Sequence, residues 1–133
     1  AVIVFGESVL LVRCVNSSHF FLPGGRVDPG EGVTTCVVRE IKEELNQKCV
    51  IKNYLGAIEH EFVNDSGNFY EVNHYFLADI ENPLKAESAE KDLVFKWVKI
   101  SELQSLNVQP SPVINLIKKL HKTNFESFWA STM

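Results

Sequence analysis

The sequence predicts an α/β domain, an α/β/α sandwich built around a mixed β-sheet. Three observations support this class. β-rich runs occur in both halves of the chain, segments with helical periodicity occur early and late, and the length of 133 residues suits one hydrophobic core. No repeat, low-complexity tract or linker divides the chain, so we expect a single domain over residues 1–133.

The first elements are a hairpin, a turned loop and a helix. Residues 1–5 and 8–15 are β-rich and are separated by Gly6-Glu7, which predicts a hairpin. A cluster of glycines and prolines over residues 23–32 predicts a tightly turned loop. Residues 32–46 then form a predicted helix, with an apolar stripe of Val37, Val38, Ile41 and Leu45.

Two long strands are predicted next, over residues 48–63 and 69–80, and the residues between them have the composition of a turn. A polar loop over residues 81–92 leads to a last predicted strand over residues 93–100.

The C-terminal part is predicted to be helical, with an apolar tail. Ser101 is expected to cap a short helix, and Ser111-Pro112 to open another through about Lys122. The tail over residues 123–133 contains Phe125, Phe128 and Trp129, and we expect it to pack on the domain or on a second subunit as a homodimer.

Composition limits the classes of partner. The net charge of −4 argues against binding of long nucleic acids, whereas a small phosphorylated ligand remains compatible if cations supply positive charge. The three cysteines lack CxxC spacing, which predicts reduced thiols. No apolar run approaches the ~18 residues of a membrane helix and no secretory signal is seen, so we expect a cytoplasmic protein that does not bind membranes.

Three carboxylates share one face of the first helix. Glu40, Glu43 and Glu44 are spaced i, i+3 and i+4, with their centre roughly 120° from the apolar stripe. Oxygen ligands clustered in this way suit a hard divalent cation, Mg²⁺ or Mn²⁺ as a substitute. Taken alone, the cluster fits a solvated helix face better.

The preceding loop favours the metal site. Gly25 is followed after five residues by Glu31, and after seven more by Arg39-Glu40-Ile41-Lys42-Glu43-Glu44. With the entry Leu22-Pro23-Gly24-Gly25, this stretch resembles the Nudix box, the signature of the MutT-like Nudix hydrolases. Two positions depart from the pattern: Asn46 replaces a glycine, and Gln47 replaces an aliphatic residue. We expect the second replacement to expose the turn or to shift packing onto Cys49 or Val50.

The resemblance implies a Nudix-type fold, a magnesium-dependent diphosphohydrolase and a role for each residue of the box. Glu43 and Glu44 would be the principal metal ligands, and Glu40 a further ligand or the general base. The carbonyl of Gly24 would be another ligand. Arg39 would orient a carboxylate, that of Glu40 in the first place, and Glu31 would fix the loop to the helix.

The polar loop offers two other acids. Glu87 and Glu90 precede the strand of Trp97, and the family resemblance implies that either could be the base or an extra ligand. Their alternative interpretation is that of ordinary solvated loop residues.

Substrate contacts are less clearly encoded. A nucleobase could stack on Phe21, Phe62, Tyr70 or Tyr75, although such residues more often belong to a core. Arg13 could reach a phosphate or lie along the surface. The resemblance favours hydrolysis of a nucleoside triphosphate, including oxidised forms, to the monophosphate and pyrophosphate. ADP-ribose, a nucleotide sugar and a non-catalytic nucleotide sensor are the alternatives.

Overall fold

The computed structural model describes residues 1–120 and 126–133. Two α-helices, two short 3₁₀ helices and six strands make up this part of the chain. The helices are α1 (Val33–Leu45) and α2 (Val113–Lys119), and the 3₁₀ helices are Pro83–Lys85 and Ile100–Ser105. The strands are β1 (Val4–Phe5), β2 (Ser8–Cys14), β3 (Cys49–Asn64), β4 (Gly67–Ile80), β5 (Leu93–Lys99) and β6 (Phe128–Ser131).

The strands form two three-stranded sheets. One has the order β1-β2-β5 and is antiparallel. The other has the order β4-β3-β6; β3 and β4 are antiparallel, and β6 is parallel to β3. Val2 connects the two sheets, since its N–H donates to Phe76 at 2.8 Å and its carbonyl accepts from Ala78 at 3.0 Å. The predicted mixed α/β fold is confirmed, although the sheet is divided in two.

Residues of β2 face two separate hydrophobic layers. Val9 and Leu11 belong to the layer that contains Leu116 of α2, and Leu10 belongs to the layer that contains Ile41 of α1. All five side chains are fully buried. Each such side chain stabilises the fold by about 1.5–3 kcal/mol relative to an exposed one. The two helices therefore cover opposite faces, as an α/β/α sandwich requires.

The bounds of α1 agree with the prediction. Gly32 precedes the helix in extended conformation, and Asn46 ends it with φ 53° and ψ 34°. The N–H of Asn46 donates to the carbonyl of Lys42 at 3.0 Å. Asparagine adopts this left-handed conformation more readily than most residues, so it can take the place of the glycine at this position.

The buried face of α1 differs from the predicted stripe. Val38 is exposed, whereas Cys36 and Glu44 are buried together with the other stripe residues. The expected separation of all three acids from the apolar face is therefore wrong for Glu44. The helix inserts that carboxylate beside its packing surface.

The C-terminal elements also differ from the prediction. β5 is not the last strand, because β6 follows it. Ser101 lies inside the 3₁₀ helix, whose N-cap is Lys99, so its predicted capping role is wrong. α2 ends at Lys119, and Lys122 and Phe125 lie outside the described residues.

Strand β6 accounts for part of the predicted tail packing. Phe128 packs against the core, and the Nζ of Lys119 lies 4.8 Å from the centre of its ring. Trp129 remains 60% exposed. Contact of the tail with a second subunit stays a prediction.

Docking of β6 depends on a glycine in β3. Gly56 has φ 130° and pairs with Phe128. A Cβ at Gly56 would overlap the backbone of Phe128, including its nitrogen at 2.6 Å. Only glycine leaves room for this close approach of the two strands.

We expect Gly56→Ala to destabilise the fold more than Gly67→Ala. Both glycines have positive φ, 130° and 124°, but a Cβ at Gly67 meets no atom within 4 Å. The additional decrease in the free energy of unfolding for Gly56→Ala should be about 1–3 kcal/mol, the usual cost of overpacking. Urea unfolding of both variants measures the difference, and equal losses would contradict the role assigned to the close approach.

Candidate active site

A single guanidinium connects the turned loop to α1. The Nε and Nη2 atoms of Arg39 donate to the two carboxylate oxygens of Glu31 at 2.8 and 2.9 Å. Its Nη1 donates to Glu40 at 2.8 Å and to Glu43 at 3.3 Å, and its Nη2 also donates to the carbonyl of Arg26 at 3.1 Å. Because the guanidinium is planar and carries five donor hydrogens, it can bind several acids at once.

Glu31 is held in its ionised form. The hydrogen bonds from Arg39 and from the backbone N–H of Asp28 lower its pKa from 4.5 to about 2. A carboxylate with this pKa is a weak base at neutral pH. Its position therefore favours the predicted role of fixing the loop to the helix.

Arg39→Lys is expected to weaken this connection, because lysine keeps the charge and loses the two-pronged geometry. The lowered pKa of Glu31 contributes stability that is present above pH 4.5 and lost as the pH falls towards about 2. The variant should therefore be less stable than the wild type near neutral pH and lose less stability on acidification from about pH 5 to pH 3.

Thermal unfolding across this pH range measures both effects. Arg26→Lys is the matched control, because the side chain of Arg26 makes no ion pair with the described residues. An Arg39→Lys variant with the wild-type pH dependence would show that the contact with Glu31 contributes nothing to folding.

Glu44 is in the opposite electrostatic situation. The residue is only 6% exposed, and its Oε2 has no hydrogen-bond partner among the described residues. Burial, followed by the negative charge of Glu40, raises its pKa from 4.5 to about 7, while the backbone of Gly24 acts in the opposite direction. A buried carboxylate oxygen without a partner is costly, and a divalent cation would supply the missing interaction. The surroundings of Glu44 therefore fit a metal ligand.

The other predicted ligands are arranged less closely. The side chain of Glu43 is 51% exposed, and Glu40 lies against Arg39. In the part of the chain that the structure describes, no three acidic, histidine or cysteine side chains converge into a ready-made metal site. Binding of a cation would require these carboxylates to turn towards Glu44.

Gly25 makes room for the carboxylate of Glu40. A Cβ at this position would overlap the carboxylate of Glu40, with its Oε2 at 2.6 Å. The neighbouring Gly24 has φ 145°, a conformation that other residues rarely adopt. The two glycines thus allow the loop to lie directly over the acidic face of α1.

The raised pKa of Glu44 predicts how stability changes with pH. Without metal, the folded protein keeps a proton on Glu44 between pH 4.5 and about 7 that the unfolded chain has lost. This contribution to stability is therefore complete below pH 4.5 and declines as the pH rises, by at most about 1.4 kcal/mol per pH unit.

Glu44→Gln should remove this decline, because the amide does not titrate. Glu43→Gln, on the same helical turn, should retain it. Urea unfolding in the presence of a chelator, between about pH 5 and pH 8, measures the slope. An unchanged slope in Glu44→Gln would assign the effect to another group.

The loop that carries Glu87 and Glu90 is fixed to the end of α1. The side chain of Gln47 donates to the carbonyls of Asn82 and Lys85 at 3.0 and 2.8 Å and accepts from the N–H of Asn82 at 2.8 Å. Gln47 is 8% exposed, so the expectation that it exposes the turn is wrong. The buried amide satisfies the backbone of the loop through these three hydrogen bonds.

Further along the loop, the backbone N–H of Ala89 donates to the carbonyl of Glu44 at 2.7 Å. Glu87 and Glu90 are both exposed. The charge of Glu90 contributes to the raised pKa of Glu44. The loop therefore brings Glu90 into the electrostatic environment of the helix.

A cleft of about 710 Å³ borders the glycine turn. Three of the predicted stacking residues line it, namely Phe21, Phe62 and Tyr75, whereas Tyr70 is not among the lining residues. Tyr75 is buried, and burial raises the pKa of its hydroxyl. The volume of the cleft is typical of sites that hold small-molecule ligands.

Arg13 does not line this cleft. Its guanidinium donates to the carbonyls of Cys14, Val15 and Ser17 at 3.1–3.4 Å. These contacts stabilise the chain after β2. The expectation that Arg13 reaches a phosphate is therefore not supported, because the donors are directed to the backbone.

The cleft also contains residues to which the sequence assigned little or no role. Glu71 and Asn73 lie on β4 beside Tyr75, and the Asn73 amide donates to Glu71 at 2.9 Å. His60 of β3 lies opposite Glu71. The period of two along β4 places residues 71, 73 and 75 on one face, and this signal was available in the sequence.

The three cysteines are free thiols. Cys36 is buried and borders the cleft, and its Sγ donates to the carbonyl of Arg26 at 3.4 Å. Burial raises the pKa of this thiol. In residues 1–120 and 126–133, neither helix has the length and apolar character needed to cross a bilayer.

Comparison with known proteins supports the same family resemblance. The family model of the NUDIX domain matches residues 1–118. A Bacillus subtilis (strain 168) protein named as a candidate 8-oxo-dGTP diphosphatase is 32% identical over 99 residues, covering 73% of this chain and 62% of that protein. The asymmetrical bis(5'-nucleosyl)-tetraphosphatase of Caenorhabditis elegans is 31% identical over 104 residues, covering 72% of this chain and 70% of that protein.

A solved structure extends the similarity to the fold. The MutT NUDIX hydrolase from Burkholderia pseudomallei superposes with a TM-score of 0.71 at 26% identity, over 87% of this chain and 91% of that one.

An acidic helix beneath a glycine turn, beside a cleft in an α/β/α sandwich, defines the class of this domain. The chain belongs to the NUDIX domain family, as the resemblance of residues 22–44 predicted. It spans less than two thirds of the length of the Bacillus subtilis relative.

Proposed function

We propose that this chain is a metal-dependent hydrolase that cleaves the diphosphate linkage of a nucleotide derivative. The observation that carries the proposal is the buried Oε2 of Glu44, which has no hydrogen-bond partner in residues 1–120 and 126–133 and lies next to Glu40 and to the turn that borders the cleft. A cation would supply this oxygen with a partner and neutralise the charge of the carboxylate. A cation at this place would face a ligand of nucleotide size in the cleft.

The proposed ligands are Glu44, Glu40, Glu43 and the carbonyl of Gly24, and the proposed ion is Mg²⁺, with Mn²⁺ as a substitute. When bound, the ion neutralises charge on the diphosphate and lowers the pKa of a bound water. The chain contributes the orientation of these groups. Arg39 holds Glu40 through its Nη1 and keeps Glu31 on the loop, so the loop and the acidic face of α1 are fixed relative to each other.

Glu90 is our proposed proton acceptor. Its loop is attached to α1 through Gln47 and Ala89, and its charge acts on Glu44. Glu87 is on the same loop and is exposed, but it is not among the groups that shift the pKa of Glu44. Glu40, the other candidate, is engaged by Arg39 at 2.8 Å.

We propose a nucleoside triphosphate as the substrate, including oxidised forms, with the monophosphate and pyrophosphate as products. The name of the Bacillus subtilis relative supports this class. The aromatic side chains Phe21, Phe62 and Tyr75 give the cleft surfaces on which a base can stack.

The test is product identification after incubation with Mg²⁺ and a panel of nucleotides. The panel contains canonical and oxidised nucleoside triphosphates, dinucleoside polyphosphates, ADP-ribose and nucleotide sugars. Glu44→Gln should lower turnover roughly 100-fold or more, because a charged ligand is lost. Glu90→Gln should lower kcat by roughly 10²–10⁴-fold, as expected for a general base.

Glu87→Gln is the matched control, because it changes an acid of the same loop and should keep wild-type turnover. Full activity of Glu44→Gln at saturating Mg²⁺ would show that the metal assignment is wrong. Equal losses in Glu87→Gln and Glu90→Gln would remove the distinction between the two acids. Stabilising nucleotide binding without cleavage would instead identify a non-catalytic sensor.

A further inference from the structure

The residue that follows β6 brings a hydroxyl group to a histidine of the cleft. The Oγ1 atom of Thr132 lies 3.1 Å from the Nδ1 atom of His60. The backbone N–H of Glu61 donates to the same Oγ1 at 3.1 Å, and the N–H of Thr132 donates to the carbonyl of Glu59 at 3.1 Å. Thr132 is thus attached to β3 on both sides of His60.

These contacts favour one direction for the hydroxyl hydrogen. A threonine hydroxyl has one hydrogen to donate and can also accept. Its oxygen accepts from Glu61, and Nδ1 of His60 is the acceptor that the described residues offer to its hydrogen. A neutral imidazole that accepts at Nδ1 carries its own proton on Nε2. Thr132 therefore favours one tautomer of His60.

His60 is part of the cleft wall. Its ring stacks on Phe62 with the centroids 5.3 Å apart and an interplanar angle of 25°. Phe62 stacks in turn on Phe69 at 5.2 Å and 10°. The three rings form a continuous aromatic row on the inner face of the β3–β4 hairpin. The Nε2 atom of His60 makes no hydrogen bond with residues 1–120 or 126–133.

We propose that His60 is a specificity-determining residue that donates a hydrogen bond from Nε2 to an acceptor on the nucleobase, and that Thr132 is the positioning residue that fixes this donor. The ligand chemistry is a base that lies against the aromatic row and presents a carbonyl oxygen or ring nitrogen. The proposal rests on the proposed binding of a nucleotide in the cleft. It assigns to Thr132 a part in substrate selection.

The first test does not depend on activity. The ¹⁵N chemical shifts of the His60 ring are measured at about pH 8.5, where an ordinary imidazole is neutral. The wild type should show the Nε2–H tautomer, and Thr132→Val should show a mixture of the two tautomers. Thr132→Ser keeps the hydroxyl and should restore the wild-type spectrum. A wild-type ring with its proton on Nδ1 would overturn the proposal.

The second test separates binding from chemistry. Thr132→Val should raise the KM for a nucleoside triphosphate roughly twofold, the factor expected when about half of the rings keep the Nε2 donor, and leave kcat unchanged. Thr132→Ser should restore the KM. With a base-free ribose 5-triphosphate the variant and the wild type should have the same KM, and a rise with this compound would assign the contact to the sugar or phosphates instead.

His60→Phe provides a second variant that keeps the aromatic row and removes the donor. It should raise the KM roughly 3- to 10-fold, the range expected for one hydrogen bond, and the double variant should match His60→Phe, because both changes act on one interaction. Additive effects would overturn the proposal. Cleavage by the wild type with no change of KM in any variant refutes the role of His60 alone, whereas absence of cleavage by the wild type refutes the proposed function.

Discussion

The arrangement of the acidic face depends on Arg39. Four carboxylates, those of Asp28, Glu31, Glu40 and Glu43, lie within 4 Å of its guanidinium. Like charges placed so closely on a loop and one helical turn would otherwise repel one another. Because the guanidinium also donates to the carbonyl of Arg26, it fixes the loop backbone and the helix side chains relative to each other.

This distribution of charge leaves Glu44 as the exception. Arg39 stabilises the anionic form of Glu31, whose pKa falls to about 2, whereas Glu44 is buried beyond its reach and has a pKa of about 7. Two acids of one motif thus have their pKa values shifted in opposite directions by their surroundings. The first is ionised at neutral pH, which favours its predicted role of fixing the loop to the helix. The second needs a cation to become ionised at low cost, so binding of a metal and loss of its proton are expected to be coupled.

The elements that the sequence predicted well are those determined by neighbouring residues. The bounds of α1 follow from Gly32 and Asn46, which lie at its ends. The contacts that it could not predict join distant parts of the chain: Gln47 bonds to a residue 38 positions later, and His60 to one 72 positions later. Gly56 reads as an ordinary strand glycine until β6 is known to lie against it. Short strands such as β6 carry too little periodicity to be recognised from the sequence.

The difference between local and distant contacts also applies to the site: the residues that indicate the reaction are close in sequence, and those that would contact the substrate are not. The acids, Arg39 and the glycine turn lie within one continuous stretch, residues 24–44, so a local pattern is enough to indicate the chemistry. The wall that a base would contact comes from the β3–β4 hairpin and from β6, which approaches β3 only because Gly56 lacks a side chain. Changes in that wall leave the acidic helix untouched. Proteins with this helix can therefore differ in the nucleotide they select, and in this chain the difference is expected to lie around His60 and Thr132.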